Sequence, residues 1–412
     1  MKFGGSSVAD PDKIKNVADI IIKKKKAHGA SGVAGDVVAV VSAPGDTTDE
    51  LIELASKITD NPDEREMDML LSTGEQVSIA LLSMAIKARG FRSISLTGPQ
   101  AGIYADASHT KARIIKIIPT KIRKELMRGN IVIIAGFQGL NPNEDITTLG
   151  RGGSDLTAVA LAAALKADEC EIYTDVEGVY TTDPRVVPEA RKIQVISYDE
   201  MLEMAGTGAQ VMQGRSIEVA KKYGVKIHVR STFRSEKEGT IITDGEDSNN
   251  GRNKMESAVV RAVTFDKNQA KFSLLDVPDK PGVASKIFGG LASSGINVDM
   301  IIQSAARQGY NDISFTVARN DVRKTREILL KLKKQLGASG VISDDTVAKV
   351  SIIGVGMKSH PGVAAKMFRT LASSGVNIQM ISTSEIKISC VISDKDVVKS
   401  VKALHKVFGL DK

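Results

Sequence analysis

Four clusters hold the residue types best suited to chemistry on anions. The chain opens Met1-Lys2-Phe3-Gly4-Gly5-Ser6-Ser7, where two glycines let the backbone approach an anion and Lys2 supplies a point charge for phosphate. It matches neither GxxxxGK(S/T) nor GxGxxG, so neither common nucleotide-binding turn is indicated, and alone it reads equally as a tight turn beside a surface lysine. In Thr148-Leu149-Gly150-Arg151-Gly152-Gly153-Ser154-Asp155, glycines at a helix entrance expose backbone N–H groups and the positive end of the helix dipole, which suits a phosphate or carboxylate. Arg151 adds a possible bidentate grip on a carboxylate, while Ser154 or Asp155 could equally do no more than cap the helix. The third cluster, Tyr173-Thr174-Asp175-Val176-Glu177-Gly178-Val179-Tyr180-Thr181-Thr182-Asp183-Pro184-Arg185, is too rich in polar and turn residues to be buried and has the character of a nucleotide-holding loop. The fourth, Leu71-Ser72-Thr73-Gly74-Glu75-Gln76, sets Glu75 in a strongly helical stretch, where a lone glutamate is ordinarily a surface residue.

These clusters need a frame. Across residues 36–242 short β-branched runs alternate with helical segments, the pattern of βαβ units and a mainly parallel sheet covered on both faces. The spacing predicts strands at 37–41, 93–96, 131–135, 171–174 and 225–229, and helices at 49–58, 67–89, 155–165 and 213–223. Several of the polar turns follow strands directly, and ligands of open parallel sheets sit at those carboxyl ends.

With 412 residues, two or three domains are expected. An apolar fraction of 42% and a charged fraction of 25% fit a soluble globular protein, and no uninterrupted apolar run approaches the ~20 residues of a membrane span. The start lacks the features of a signal peptide and the two cysteines, Cys170 and Cys390, stand apart, which fits a reducing cytoplasm. The net charge of +7 is spread among acids along helix-like stretches, so neither nucleic acid nor a membrane is an expected partner. None of the five histidines has metal-ligand spacing.

The polar segment Asp244-Gly245-Glu246-Asp247-Ser248-Asn249-Asn250-Gly251-Arg252-Asn253 has the composition of a linker, and beyond it the chain repeats itself. Pro281-Gly282-Val283-Ala284, Asn297 and Ser304 recur 80 residues later as Pro361-Gly362-Val363-Ala364, Asn377 and Ser384. Each copy reads as strand, Pro-Gly turn, helix, strand, strand, helix, a small α+β unit used twice.

Taken together, the opening Lys-Phe-Gly-Gly-Ser-Ser, Gly45-Asp46-Thr47-Thr48-Asp49-Glu50-Leu51, Ser72-Thr73-Gly74-Glu75, Gly136-Phe137-Gln138-Gly139, the Arg151 turn and the Tyr173 to Arg185 cluster resemble the aspartate kinases, end to end. The duplicated part resembles that family's paired ACT domains, with Met357-Lys358-Ser359-His360-Pro361-Gly362 and Ile381-Ser382-Thr383-Ser384-Glu385, and the whole is most similar to the lysine- and threonine-regulated bacterial class. The resemblance implies an amino-acid-kinase three-layer α/β/α sandwich with a mostly parallel eight-stranded sheet over residues 1–245, a linker at 246–256, and two ferredoxin-like ACT domains at 257–340 and 341–412, with 257–264 a candidate for the first strand of the second. It implies ATP and Mg²⁺ as cofactors, with the metal's protein ligands unassigned, and phosphorylation of the side chain of L-aspartate.

By matching positions, Lys2, Phe3, Gly4, Gly5, Ser6, Thr174, Asp175, Tyr180, Asp183 and Arg185 would hold ATP, and Thr47, Glu75, Arg151 and Ser154 would bind aspartate, Arg151 its α-carboxylate and Glu75 its ammonium. Lys2 and Asp155 are the expected catalytic residues. A carboxylate nucleophile is already ionised at neutral pH, so no general base is required. The alternatives are another acyl-phosphate kinase of the same fold or an inactive amino-acid sensor. Members of the family usually carry several apolar residues before the lysine, whereas here only Met1 precedes it, which puts Lys2 on a terminus expected to fray. Lysine, threonine or both are the expected effectors, and a homo-oligomer, or an assembly with a small regulatory chain started at Met255, is the expected assembly.

The effector is expected between Asp279, Lys280, Pro281, Gly282, Val283 and Ala284 and the strand carrying Asn297, Val298, Asp299 and Gln303, since a Pro-Gly turn opening a helix offers N–H donors and Asp299 or Asp279 can meet an ammonium. The second copy, His360, Pro361, Gly362 and Val363 with Asn377, replaces Asp279 by Ser359 and Asp299 by Gln379 and is expected to build the interface instead.

Overall fold

The computed structural model describes residues 1–27, 35–209, 211–244, 260–355, 357 and 360–412; the linker at 246–256, Met255, Lys358 and Ser359 lie outside them. The chain divides into two compact units: Met1–Val179, Lys192–Ala205 and Gln210–Met255 form the first, and Tyr180–Arg191, Gly206–Ala209 and Glu256–Lys412 the second.

The first unit is built on an eight-stranded sheet in the order Val195–Ser197, Thr240–Thr243, Ile227–Ser231, Cys170–Thr174, Lys2–Phe3, Val38–Val41, Ile131–Ala135, Ser93–Leu96. Every neighbouring pair is parallel except Ile227–Ser231 with Thr240–Thr243. Ile131–Ala135 is buried at all five positions, as a strand covered on both faces must be. Helices Pro11–Ala27 and Glu64–Lys87 close one face over Phe3, Val41, Ile133 and Tyr173, and Gly153–Leu165 packs on the other. Glu64–Lys87 is long and apolar enough by composition to cross a bilayer, but half of that stretch is buried and it carries the buried Asp68 and Glu75, the character of a core helix.

The expected fraying of the start is not what the structure shows. Lys2 pairs with Val40 on one side and Ile172 on the other, and Phe3 with Val41 and Tyr173. The Met1 ammonium donates to Val38 O at 2.8 Å. Two ladders hold this two-residue strand, so its position at the sheet centre does not depend on its length. A smaller sheet, Ile114–Ile117, Ile103–Ala105, Gln138–Leu140, Ile146–Thr148, leads into the Arg151 turn.

The second unit holds one six-stranded antiparallel sheet, ordered Ile301–Gln303, Tyr310–Val317, Ala262–Pro278, Gly340–Ile353, Lys387–Ser393, Met380–Thr383. The two copies therefore share a sheet. Register shifts between Asp266 and Lys271 divide the 17-residue central strand, so that Val263 packs in the core of the second copy while Phe272, Leu274 and Val277 pack in that of the first. Residues 180–191, expected within the N-terminal block, cluster here instead: Thr181 Oγ1 lies 2.9 Å from His405 Nε2, Val263 N donates to Thr181 O at 2.8 Å, and Val187 is buried in the second core.

Candidate active site

Lys2 heads the central strand, and the loops that leave its neighbours converge at their carboxyl ends. Lys2 Nζ lies 2.7 Å from Asp155 Oδ1, with both side chains 11% exposed. At this distance the two charges form an ion pair. Gly4 N donates to Tyr173 O at 3.3 Å, and a Cβ placed on Gly4 would stand 3.5 Å from Lys2 Nζ. At Gly5 a Cβ would come within 2.9 Å of both Ala43 O and Gly45 O, so only glycine lets the short helix Gly5–Ser7 lie against the loop after Val38–Val41.

Thr47 begins helix Thr47–Ser56 from that loop, with its N–H donating to Pro44 O at 3.0 Å. Gly74 packs where a Cβ would stand 2.7 Å from Ala43 Cβ and 3.6 Å from Thr47 Cγ2. Glu75 is 3% exposed. Its Oε1 accepts from Ala43 N at 3.2 Å, and its Oε2 is buried without a partner. Burial pushes the carboxyl up to about 7, only partly opposed by backbone N–H donation including that of Ala43. A buried carboxylate with an unsatisfied oxygen calls for a cation or a proton.

The Arg151 turn leaves strand Ile146–Thr148 through Gly150 and Gly152, both in the left-handed region at φ 76° and 73°, and enters helix Gly153–Leu165. Arg151 is exposed, while Ser154 and Asp155 are buried in the first turn. Neither Ser154 nor Asp155 caps the helix; Gly152 stands at its N-cap with no side-chain cap bond. Gly136 lets the next loop approach, since a Cβ there would be 2.6 Å from Ser154 Oγ. Thr157, which carries no motif, receives a hydrogen bond from Phe137 N at 3.1 Å and gives one to Gly153 O at 2.8 Å, tying the Gly136-Phe137 loop to the helix.

The expected nucleotide set is divided. Phe3 is buried in the core, stacked on Tyr173 at 4.8 Å between ring centroids, so its side chain faces the sheet's helix layer. Ser6 is exposed beside Gly5, and Thr174 Oγ1 donates to Asp175 Oδ1 at 3.0 Å. Tyr180, Asp183 and Arg185 belong to the segment that clusters with the second unit. There Arg185 forms a two-pronged contact with Asp183, Nε to Oδ1 at 3.0 Å and Nη2 to Oδ2 at 2.8 Å, which holds the Asp183 carboxyl below its ordinary range.

In the second unit Gly282 and Gly362, at φ 90° and 104°, stand at the N-caps of helices Val283–Ala292 and Val363–Ser373. Pro281, Ala284, Asn297, His360, Pro361 and Asn377 are exposed, and Lys280 is exposed next to Asp279. Asp279 accepts from Asn311 Nδ2 at 3.1 Å. Gln303 ends an edge strand and Val298 packs against the first core. Asp299 pairs with the ammonium of Lys349, a lysine buried to 2% that also donates to Gly206 O at 3.3 Å. Gln379, the residue standing for Asp299 in the second copy, accepts from Lys271 at 3.3 Å. Each copy thus reaches a lysine on the other's long strand.

Among the described residues one further cluster brings metal-ligating atoms together: Glu169, Glu171 and His228 place theirs within 4.8 Å of one another at the amino end of the Cys170–Thr174 strand. Lys24 Nζ stands 2.9 Å from both carboxylates and Arg230 Nη1 3.1 Å from Glu171, so the acids are already neutralised.

Glycine-rich loops converging on a lysine of the central parallel strand, in one chain with a duplicated α+β unit, have counterparts among known proteins. A profile of the amino acid kinase family matches residues 1–231, and ACT domain profiles match 273–337 and 350–408. The chain therefore belongs to the amino acid kinase family. An aspartate kinase of Pseudomonas putida is 51% identical over 410 residues, which span 100% of this chain and 97% of that protein. The crystal structure of E. coli aspartokinase III with aspartate and ADP in the R-state superposes with a TM-score of 0.83 at 25% identity, covering 98% of each chain. The same enzyme with lysine and aspartate in the T-state gives 0.75, also at 25% identity and 98% of each chain. Within the family, this chain is one of the aspartate kinases.

Glu75 yields a measurable sign. Its folded-state pKa of about 7 exceeds its ordinary 4.5, so its contribution to stability is fully present below the lower value and is lost as pH rises through the higher. The wild type should lose several degrees of melting temperature relative to Glu75→Gln between pH 5 and 8, a shift on the order of 3 kcal/mol for this group. Parallel melting curves would mean that Glu75 does not titrate in this range.

Proposed function

We propose that this aspartate kinase transfers the γ-phosphoryl group of MgATP to the side-chain carboxylate of L-aspartate, giving 4-phospho-L-aspartate and ADP, the first step toward lysine, threonine and methionine. The observation that carries this reading is Glu75, whose buried, unpartnered Oε2 suits the substrate ammonium. The exposed Arg151 suits the α-carboxylate, and two opposite charges on one site select an amino acid over analogues lacking either group. Thr47 and Ser154 complete the proposed substrate pocket. ADP and aspartate bound to E. coli aspartokinase III support the same pair of ligands here.

A carboxylate oxygen of the substrate attacks the γ-phosphorus, the bond to the bridging oxygen breaks, and ADP leaves with the electron pair; no proton has to move. The protein's part is to position two anions and offset their repulsion. Lys2 and the N–H group of Gly5 take the phosphates, with Gly4, whose own N–H is held by Tyr173 O, and Ser6 beside them, and Thr174 and Asp175 are proposed to hold the rest of the nucleotide. The Asp155 carboxylate, beside Lys2, is proposed as one ligand for the Mg²⁺ that accompanies ATP. Held there, the ion would neutralise charge on the phosphates.

The second unit is proposed to lower activity when lysine or threonine binds at Asp279–Ala284 and Asn297–Gln303, a reading that the lysine complex of E. coli aspartokinase III supports. An effector ammonium would compete with Lys349 for Asp299. The edge strands Ile301–Gln303 and Met380–Thr383, with Ile301 and Ile381 exposed, are proposed to join copies into a homo-oligomer, working in the cytoplasm.

Two variants test the reading by ADP release coupled to aspartate. Arg151→Ala should raise the aspartate KM by about 10- to 100-fold, as loss of a charge-assisted contact of roughly 1.5–3 kcal/mol requires, with the ATP KM little changed. An unchanged aspartate KM removes Arg151 from the site. Asp299→Asn, which can still accept a hydrogen bond from Lys349, should raise the inhibitory concentration of lysine or threonine by about 10-fold or more while uninhibited kcat stays within about twofold. Equal inhibition of variant and wild type by both amino acids rules out Asp299 as an effector contact.

A further inference from the structure

Asp68 lies in no motif, yet it is wholly buried near the start of helix Glu64–Lys87. Its carboxylate gathers three residues, two from a loop and one from a strand end, all distant in sequence. Thr110 N donates to Oδ1 at 3.0 Å and to Oδ2 at 3.1 Å. His109 Nδ1 lies 2.7 Å from Oδ2, which makes Nδ1 the protonated nitrogen, and Thr148 Oγ1 donates to Oδ1 at 2.5 Å. Thr148 is the last residue of the strand from which the Arg151 turn departs.

The turn has a second fastening on its other side. Arg215 donates from Nη1 to Leu149 O at 2.7 Å and from Nη2 to Ala112 O at 3.0 Å, and Ala112 N donates to Thr148 O at 2.9 Å. Leu149 N is held by Phe137 O at 2.8 Å. Gly150 then passes so close to the other loop that a Cβ would stand 3.3 Å from Thr110 O. Thr110 itself is held at φ 63°, a left-handed conformation that a β-branched residue adopts only under compulsion, and the Asp68 carboxylate on its N–H supplies that compulsion. Both backbone groups next to Gly150 are thus fixed from the interior. Arg151, one residue further, is exposed, and no hydrogen bond or ion pair to its guanidinium is found among the described residues.

We propose that Asp68 is a positioning residue for substrate binding: by clamping Thr148 to the His109-Thr110 loop it sets where the Gly150-Arg151 turn presents its guanidinium. This rests on the assignment of Arg151 to the substrate carboxylate. The physical reason for a buried acid here is directional. Thr148, Thr110 and His109 all present donors, and one acceptor-only group satisfies them together in low dielectric. A turn carrying an exposed arginine on glycines has no rigidity of its own, so the accuracy of the arginine depends on its footing. Asn at this position is isosteric but brings an NH₂ group, which faces at least one of these donors and loosens the clamp.

The test is steady-state kinetics of the full chain with MgATP and aspartate, together with melting temperature. Asp68→Asn should raise the aspartate KM about 5- to 20-fold while kcat and the ATP KM stay within about twofold, a split that general destabilisation does not produce. Thr148→Val, which removes a single donor, should move the aspartate KM in the same direction by a smaller factor and serves if Asp68→Asn folds poorly. In an Arg151→Ala background Asp68→Asn should add less than twofold, because the residue it positions is gone. Full additivity of the two substitutions, or a fall in kcat with rises in both KM values, would overturn the proposal. If Arg151→Ala alone leaves the aspartate KM unchanged, the assignment of Arg151 has failed, a result separate from any effect of Asp68.

Discussion

The site depends on a lysine that is part of the sheet rather than of a loop. Lys2 sits in the central strand between Val40 and Ile172, so its backbone is fixed by two ladders, and its ammonium is set against Asp155 from the helix packed on that sheet. A largely buried ion pair of this kind adds little net stability, because desolvation offsets attraction. Its value is geometric: it holds a positive charge beside Gly4 and Gly5, where phosphates can lie. The close approaches at Gly5, Gly74 and Gly136 follow from this placement, since the loops that leave neighbouring strands can converge on Lys2 only where side chains are absent.

A site for two anions needs cations, and a site for an amino acid needs an anion as well. The sheet frame keeps these charges apart. Glu75 comes from a helix on one face and Asp155 from a helix on the other, while Arg151 stands on the turn that enters the second. Burial raises the Glu75 pKa to about 7, and an ammonium placed against its carboxyl would favour the ionised form. In the second unit the same economy of charge is seen in a different place: Asp299 and Lys349 satisfy each other across two copies of the repeat.

The sequence was most informative where burial imposes a strict pattern. Ile131–Ala135 falls on its expected residues because an apolar, β-branched run in a covered parallel sheet has no other reading, and the edge strand Ser93–Leu96 falls on its own although serines alternate with its apolar residues. Helices Glu64–Lys87 and Gly153–Leu165 shift by two or three residues at their starts, where Asp63 caps the first and the glycines of the Arg151 turn join the second. Lys2–Phe3, Val195–Ser197 and Thr240–Thr243 are too short for periodicity to mark, and the small sheet under the Arg151 turn is built from strands of three or four residues. The clusters that could do chemistry were visible as runs of glycine and charge, but their partners were not. Asp68 looks like one acid on a solvated helix face until Thr110 and Thr148 arrive from 42 and 80 residues away. Likewise, nothing local tells that 180–191 leaves the first unit, because Val187 and Thr181 are held by contacts with residues more than 70 positions on.

The role proposed for Lys2 is to act on the transferred phosphoryl group rather than merely to complete the sheet. The most direct measurement is kcat for aspartate-dependent ADP release by Lys2→Met, a substitution that keeps the strand's backbone bonds and much of the side chain's length while removing the charge. The account predicts a fall in kcat of about 100-fold or more with the aspartate KM within a few-fold, since charge stabilisation at the reacting group is lost while the substrate's own contacts remain. A variant that folds and turns over within threefold of the wild type would contradict it.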